Sequence, residues 1–593
     1  MLNYFQFRYR RSSRRFRRDV RLLRAWSTNY LNRHVINKWH QIRLIRRFVL
    51  MWLGIFVVTG VGLLAQINAL NQSTLVSVPN PGGVYTEAEV GTVKSLNPVL
   101  PESGISADIN RLIYGSLTQY NSRRQLVGDL ATDWQVSSDG RSYTFHLRHG
   151  VKWHDGVPFT AADVAFTITA IQTPDTRSPL ANSWQDVRVD IKDDYTVIFK
   201  LPTPLASFLD STTMGIVPRH SLETVEPSQL RDNAFNQRPI GTGPFKIKTF
   251  APSADEVILE ANDDYYAGRP KLDGFSFKFY STADDAIDAY RQHQVSGIGR
   301  IDMSTASAIA KLDDLNQYAY AMPEETVLFF NNNDAVLKDK QLRQVLSRAV
   351  NRRSVIDQAV GDQGLPASQP LLPGQIGYSN KYAPASMSAA DAAAALDALG
   401  WKVQVGSKAS AGSKTRAKDG VSLKFTLVTL SGGELEKAAD ELKKQYAAIG
   451  VELTVKTMDL DQLQQSYLRP RNFQLVLYGV NVGVDPDVYA YWHSSQAKDP
   501  GVNISGYQSA DADRALESGR VKSDLDVRRA KYDAFLKTWN ADAPAVVLYQ
   551  SIYHYGVRSS VDGPQSSRLA VASDRFWRVE RWTVLRHEVV RGD

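Results

Sequence analysis

Cysteine is absent from all 593 residues of the chain. Its absence excludes disulfides, thiolate metal sites, cysteine nucleophiles and thiol-linked lipid anchors. Histidine is sparse, ten in all, and none stands in a His-Glu-x-x-His or comparable metal spacing. His146, His149 and His154 are neighbours in sequence, but a strand sends residues three apart to opposite faces. No metal and no cofactor is expected. Also missing are a Gly-x-Ser-x-Gly elbow, a phosphate-cradling Gly-rich loop and a dinucleotide fingerprint. Enzyme chemistry therefore has no signature here. Long apolar runs are lacking with one exception, and a mean hydropathy of −0.30 excludes a polytopic membrane protein.

The exception is Phe48–Ala65, which carries no charge, and the uncharged stretch runs on to Leu70. Roughly 20 apolar residues span a bilayer core. Arg43, Arg46 and Arg47 precede it, so the positive-inside rule keeps residues 1–47 in the cytoplasm and exports the rest. The expected order is a basic cytoplasmic segment (1–47), a transmembrane helix (48–70) in the cell membrane and a Pro/Gly-containing polar tether (71–82). A cleaved signal peptide is the competing reading. It would need a 47-residue basic region, and Ile67-Asn68-Ala69 lacks a small residue at the −3 position. The net charge of +8 is unevenly spread: residues 1–47 hold fourteen Lys and Arg against Asp19 alone, which leaves the other 546 residues at −5. The head reads as a juxtamembrane stretch held against anionic lipid, with no nucleic acid as partner.

The body reads as mixed α/β, and its length calls for more than one lobe. Val421–Leu430 predicts a strand. Gly433–Gly450 has apolar residues at helical spacing and a terminal glycine, and Val451–Met458 alternates as a strand. Together they make a βαβ unit, whose crossover implies a parallel pair. Ser388 opens a helix that ends near Gly400, and Thr160 opens another with Asp163 in its first turn. Val403–Gly420 reads as a solvated loop, and Asp485-Pro486-Asp487 as turn chemistry. Trp134, Phe145 and Trp153 read as core aromatics, with a lining role the alternative for Trp153.

Seven segments stand out in order: Val93–Pro98, Leu130–Phe166, Ile240–Phe245, Asn262–Asp273, Val327–Ile356, Asp485–Asp487 and Ala530–Trp539. Together they resemble one family, the extracytoplasmic solute-binding proteins of peptide-type ABC importers, which include dipeptide-, oligopeptide- and nickel-binding proteins. Leu130–Phe166 is the most diagnostic, with its tryptophan strand, Asp-Gly turn, Trp-His-Asp-Gly and a helix opening on Thr-Ala-Ala-Asp-Val. The resemblance implies an α/β, two-lobe periplasmic-binding-protein-like (type II) fold with an extra subdomain, here preceded by one transmembrane helix. Lobe I is expected from 83–107, 193–300 and 541–593, the extra subdomain from 108–192, and lobe II from 301–540. Crossing strands near Arg300 and Ala543 would form the hinge.

The same resemblance implies a monomeric receptor that closes on a peptide-like or other small oligomeric solute and hands it to ABC permease and ATPase subunits. A membrane-anchored sensor or adhesin on the same fold is the alternative. Candidate ligand-binding residues are Leu100, Pro101, Glu102 and Ser103 after the Ser-Leu-Asn-Pro element, Trp153, Phe330, Asn331, Tyr478, Gly479, Asn481, Val482 and Asp485. In peptide-binding relatives an aspartate and a tryptophan precede the Asp/Glu-Pro element at the positions held here by Val482 and Gly479. A peptide ammonium therefore has no carboxylate at that position, and dependence on a free N-terminus is not expected.

Overall fold

The computed structural model describes residues 46–102, 104–250, 255–301, 305–403, 415–521 and 524–590. The basic head up to residue 45, Ser103 and the centre of the 403–420 loop lie outside these residues. Residues 1–78 with 587–593 form one compact unit, and 79–586 form a second.

In the first unit, helix α1 (Arg46–Thr74) contains the 19-residue span Phe48–Gln66, long and apolar enough to cross a membrane. The helix passes the expected end at residue 70, and Leu75–Asn80 is a strand. No glycine or proline interrupts 66–78, so nothing there enforces an irregular tether.

The second unit is built on an 11-stranded sheet. Its strands are β1 (Val84–Val90), β2 (Phe245–Thr249), β3 (Glu256–Ala261), β4 (Gly274–Tyr280), β5 (Gly297–Ile301), β6 (Leu315–Phe330), β7 (Gly364–Pro366), β8 (Lys424–Leu430), β9 (Glu452–Met458), β10 (Leu475–Asn481) and β11 (Ala545–Arg558). The order is β9-β8-β10-β6-β11-β5-β1-β4-β3-β2, with β7 on β11. As the periodicity predicts, β8 and β9 pair in parallel around the helix Gly433–Ala448. Gly450 follows it with φ +81°, a backbone state open to glycine without a Cβ penalty.

Two strands, β6 and β11, run antiparallel through both lobes. At their lobe II ends the side chains alternate between two cores. Val327, Phe329, Ala545 and Val547 join one, while Leu328, Phe330, Val546 and Leu548 join the other. A sheet buried on both faces requires this continuous apolar run. At their lobe I ends Tyr320, Met322, Tyr553, Tyr555 and Val557 enter a third core. The cores thus change over between Met322 and Val327 and between Tyr549 and Tyr553, within the strands and away from Arg300 and Ala543. The register of β6 on β11 shifts at the same place.

A four-stranded sheet (131–136, 142–147, 196–200, 188–193) adds Phe145, Val197 and Phe199 to the lobe I core, so the 108–192 region shares that core. Its helix Ala161–Gln172 starts as expected. The Asp163 carboxylate accepts from the Thr160 and Arg219 backbone N–H groups and from the Trp153 indole at 3.4 Å. In the 403–420 loop, Arg416 is buried, donating to Ile449 and Trp401 carbonyls and pairing with Asp397 at 2.8 Å; that end of the loop is core, not solvated.

Candidate functional site

The site grows from the crossing strands. Between Ala321, opposite Ile552, and Glu325, opposite Gln550, β6 carries the extra residues of a bulge. Pro323 sits there, as it must where no ladder N–H is required, and its carbonyl accepts from Val482 N–H. Bulges re-aim side chains. Glu324 points into a cavity of about 370 Å³ that Asp108, Arg300, Glu434, Ser551, Tyr553 and Ser573 also line. Burial in this concave setting raises the Glu324 and Glu434 carboxyls above their ordinary range, and Glu324 adds to the shift at Glu434. Both side chains nevertheless remain solvent-exposed.

Beneath this cavity lies a buried ionic cluster. Alternation along β1 puts Tyr85, Glu87 and Glu89 on one face. The fully buried Arg575 guanidinium pairs with Glu87 at 2.6 Å, Glu89 at 3.4 Å and Asp108 at 2.9 Å. The Tyr555 hydroxyl donates to Glu87 at 2.5 Å and is 2.6 Å from the Tyr85 hydroxyl. Burial, then the charges of Glu87 and Asp108, hold the Glu89 carboxyl well above its usual range. Gly297 and Gly299 are required by close approach, since a Cβ would collide with the Tyr85 hydroxyl and the Glu89 carboxylate.

The lobes also touch away from the crossing strands. Ser207, on the lobe I side, donates to Asp487 at 2.8 Å, and Ala206 N–H donates to the Arg520 carbonyl at 3.0 Å. Arg520 binds Asp487 at 3.0 Å and stacks on Tyr489. Asp210 receives the Tyr120 hydroxyl at 2.5 Å. Burial, with the charges of Asp485 and Asp487, pushes its carboxyl from 3.8 up to about 6. An acid raised where the lobes meet favours that contact fully below its ordinary value of 3.8 and loses the contribution as pH rises through about 6. Closure should therefore be more favourable at pH 5 than at pH 7. The interlobe transfer efficiency of a fluorophore pair should show this, and Asp210→Asn should flatten the difference. An unaltered pH response in that variant would refute the assignment.

Of the residues singled out in the sequence, Tyr478, Gly479 and Asn481 come together, lining a lobe II cavity of about 330 Å³ with Val480, Tyr491 and Arg471. The others are dispersed. Leu100, Trp153 and Phe330 are buried in cores. The Asn331 amide donates to the Phe473 carbonyl at 2.7 Å. Pro101 lines a separate cavity of about 230 Å³, and Glu102 lies 4.0 Å from Arg231. Val482 is in a lobe II core. Asp485 is held bidentately by Arg528, at 2.8 and 2.5 Å, so its charge is taken up inside lobe II. Sequence reasoning missed Asp108, Arg300, Glu324 and Glu434. One signal was available for Glu324: a proline within the run Tyr318–Phe330 marks a bulge. Among the described residues, no group of three or more His, Asp and Glu side chains is placed to hold a metal ion.

The comparisons agree with this architecture. The family described as bacterial extracellular solute-binding proteins, family 5 Middle, matches residues 125–501. The oligopeptide-binding protein AppA of Bacillus subtilis is 28% identical over 527 residues, covering 87% of this chain and 94% of its own. The substrate-binding protein CtaP of Listeria monocytogenes superposes with TM-score 0.74 at 27% identity, covering 85% of this chain and 100% of its own. NikZ of Campylobacter jejuni, solved with Ni(L-His), does so with TM-score 0.71 at 25% identity, covering 84% and 99%.

Proposed function

The chain belongs to the family 5 bacterial extracellular solute-binding proteins, and from that premise we propose that it is the extracytoplasmic receptor of an ABC importer. It takes a peptide-like or other small oligomeric solute between its lobes and presents the closed form to a permease driven by ATPase subunits. It makes and breaks no bond. The observation that carries this reading is the pair of strands that run from the lobe I core into the two lobe II cores, with a bulge and a cavity where the cores change over. Two lobes on such a connection can rotate, and a solute that touches both shifts the balance toward closure by its differential affinity. The apolar span Phe48–Gln66 serves as an uncleaved single-pass anchor, with the body outside as a monomer. Relatives named for oligopeptide binding support a peptide as the solute.

Native mass spectrometry of the full chain, purified in detergent, tests the reading. Retained peptide-sized solute, released on unfolding, is expected. A protein that arrives empty and takes up nothing from a peptide library would contradict it.

A further inference from the structure

Resting on that receptor reading, we propose that the cavity at the bulge is a subsite for a cationic group of the solute, an ammonium or guanidinium. Three carboxylates line it: Asp108 from lobe I, Glu324 from the crossing strand, and Glu434 from lobe II. Arg300 is the one base among the described lining residues. Its guanidinium is 4.0 Å from Asp108. The other base within reach of Asp108 is Arg575, which Glu87 and Glu89 already share. Positive charge is therefore short at this place.

A second observation points to an occupant. The Asp108 side chain is 1% exposed, and while its Oδ1 is taken by Arg575 at 2.9 Å, its Oδ2 accepts no hydrogen bond among the described residues. The Tyr553 hydroxyl, on a residue 9% exposed, likewise has no partner there. Buried polar atoms of this kind ordinarily have one. Helix capping does not account for Glu434, because Glu436 is the carboxylate that accepts from Gly432 N–H, at 2.5 Å.

The acids belong to both lobes, which gives the subsite a role in closure. Bringing Glu434 toward Asp108 and Glu324 places like charges across a narrowing gap. A cation between them removes that penalty and donates to several carboxylates at once, so it binds the closed form better than the open one. This position is distinct from Val482 and Gly479, where the sequence offers no carboxylate.

The test uses the full chain in detergent and two probes. The first is agmatine, a cation without a peptide. The second is a matched pair of pentapeptides, Ala-Ala-Lys-Ala-Ala and its acetyl-lysine counterpart, both N-acetylated and C-amidated. Calorimetry at fixed ionic strength should show the lysine peptide bound tenfold or more tightly than its neutral twin. The preference should vanish in Glu324→Gln/Glu434→Gln, whose exposed positions leave the fold intact by circular dichroism. Agmatine should raise the melting temperature of the wild type and not of the variant. If both peptides bind equally, the subsite is refuted and the receptor reading stands. If agmatine acts as expected but no peptide binds, the subsite stands and the peptide reading falls. If neither probe binds, both are refuted.

Discussion

Replacing Arg575 with methionine should destabilise the body more than any other single change in the protein. Arg575 is fully buried, and its guanidinium answers Glu87, Glu89 and Asp108 together. Methionine fills much of its volume but leaves three carboxylates packed around an apolar tip. Breaking a buried ion pair from one side costs about 3–5 kcal/mol, because the remaining charge stays desolvated. With three such charges the upper end is expected. The effect depends on pH in a definite direction. The Glu89 carboxyl is already raised in the folded state, so its contribution is fully present below the ordinary value of 4.5 and is lost as pH rises through the higher folded value. Removing Arg575 raises it further. Denaturation midpoints of wild type and variant should therefore lie closer at pH 5 than at pH 8. Adding Glu89→Gln should recover part of the loss, because one of the three charges is then gone. A variant that melts with the wild type at pH 8 would show that the cluster is not ionic.

Arg528→Ala should be the second largest loss, and it should also affect closure. Arg528 is 4% exposed, holds Asp485 with two hydrogen bonds and donates a third to the Gly519 carbonyl. Without it Asp485 stands unpaired near Asp487 and Asp210, and its charge already contributes to the raised Asp210 carboxyl. Again about 3–5 kcal/mol is expected, together with a weaker Ser207–Asp487 contact between the lobes. Arg528→Lys should restore the charge but not the paired geometry, so its rescue should be partial. A full rescue by lysine would mean that only net charge matters at this place. The pairing also removes Asp485 as a free carboxylate for a ligand amine.

Local structure was legible wherever a period and a cap coincide. The helix after Ser388 is capped as expected, with the Ser388 hydroxyl accepting from Asp391 N–H at 3.1 Å. The parallel β8–β9 pair and the Thr160–Asp163 helix start follow from spacing alone. Family segments carried the two-lobe architecture, which no local pattern encodes. The ionic cluster was hidden because Glu87 and Arg575 are 488 residues apart. Alternation along the strand puts Glu87 and Glu89 on one face. Whether such a face meets water or a buried guanidinium is decided by the return of the C-terminal segment, and alternation is silent on that. The binding residues were harder still. Expectations centred on Leu100, Phe330 and Val482 fell on positions whose side chains fill cores, since the backbone segment can approach a cleft while its side chains face away. Glu324 and Glu434, in contrast, are brought together by a bulge and a helix start from different parts of the chain.

The most direct test of the account is small-angle scattering from residues 71–593, titrated with a peptide that native mass spectrometry shows to be bound. The receptor reading predicts that the radius of gyration falls to a plateau at one equivalent of peptide, with the body remaining monomeric. A radius that stays constant while the site fills would contradict it, because binding would then occur without closure of the lobes.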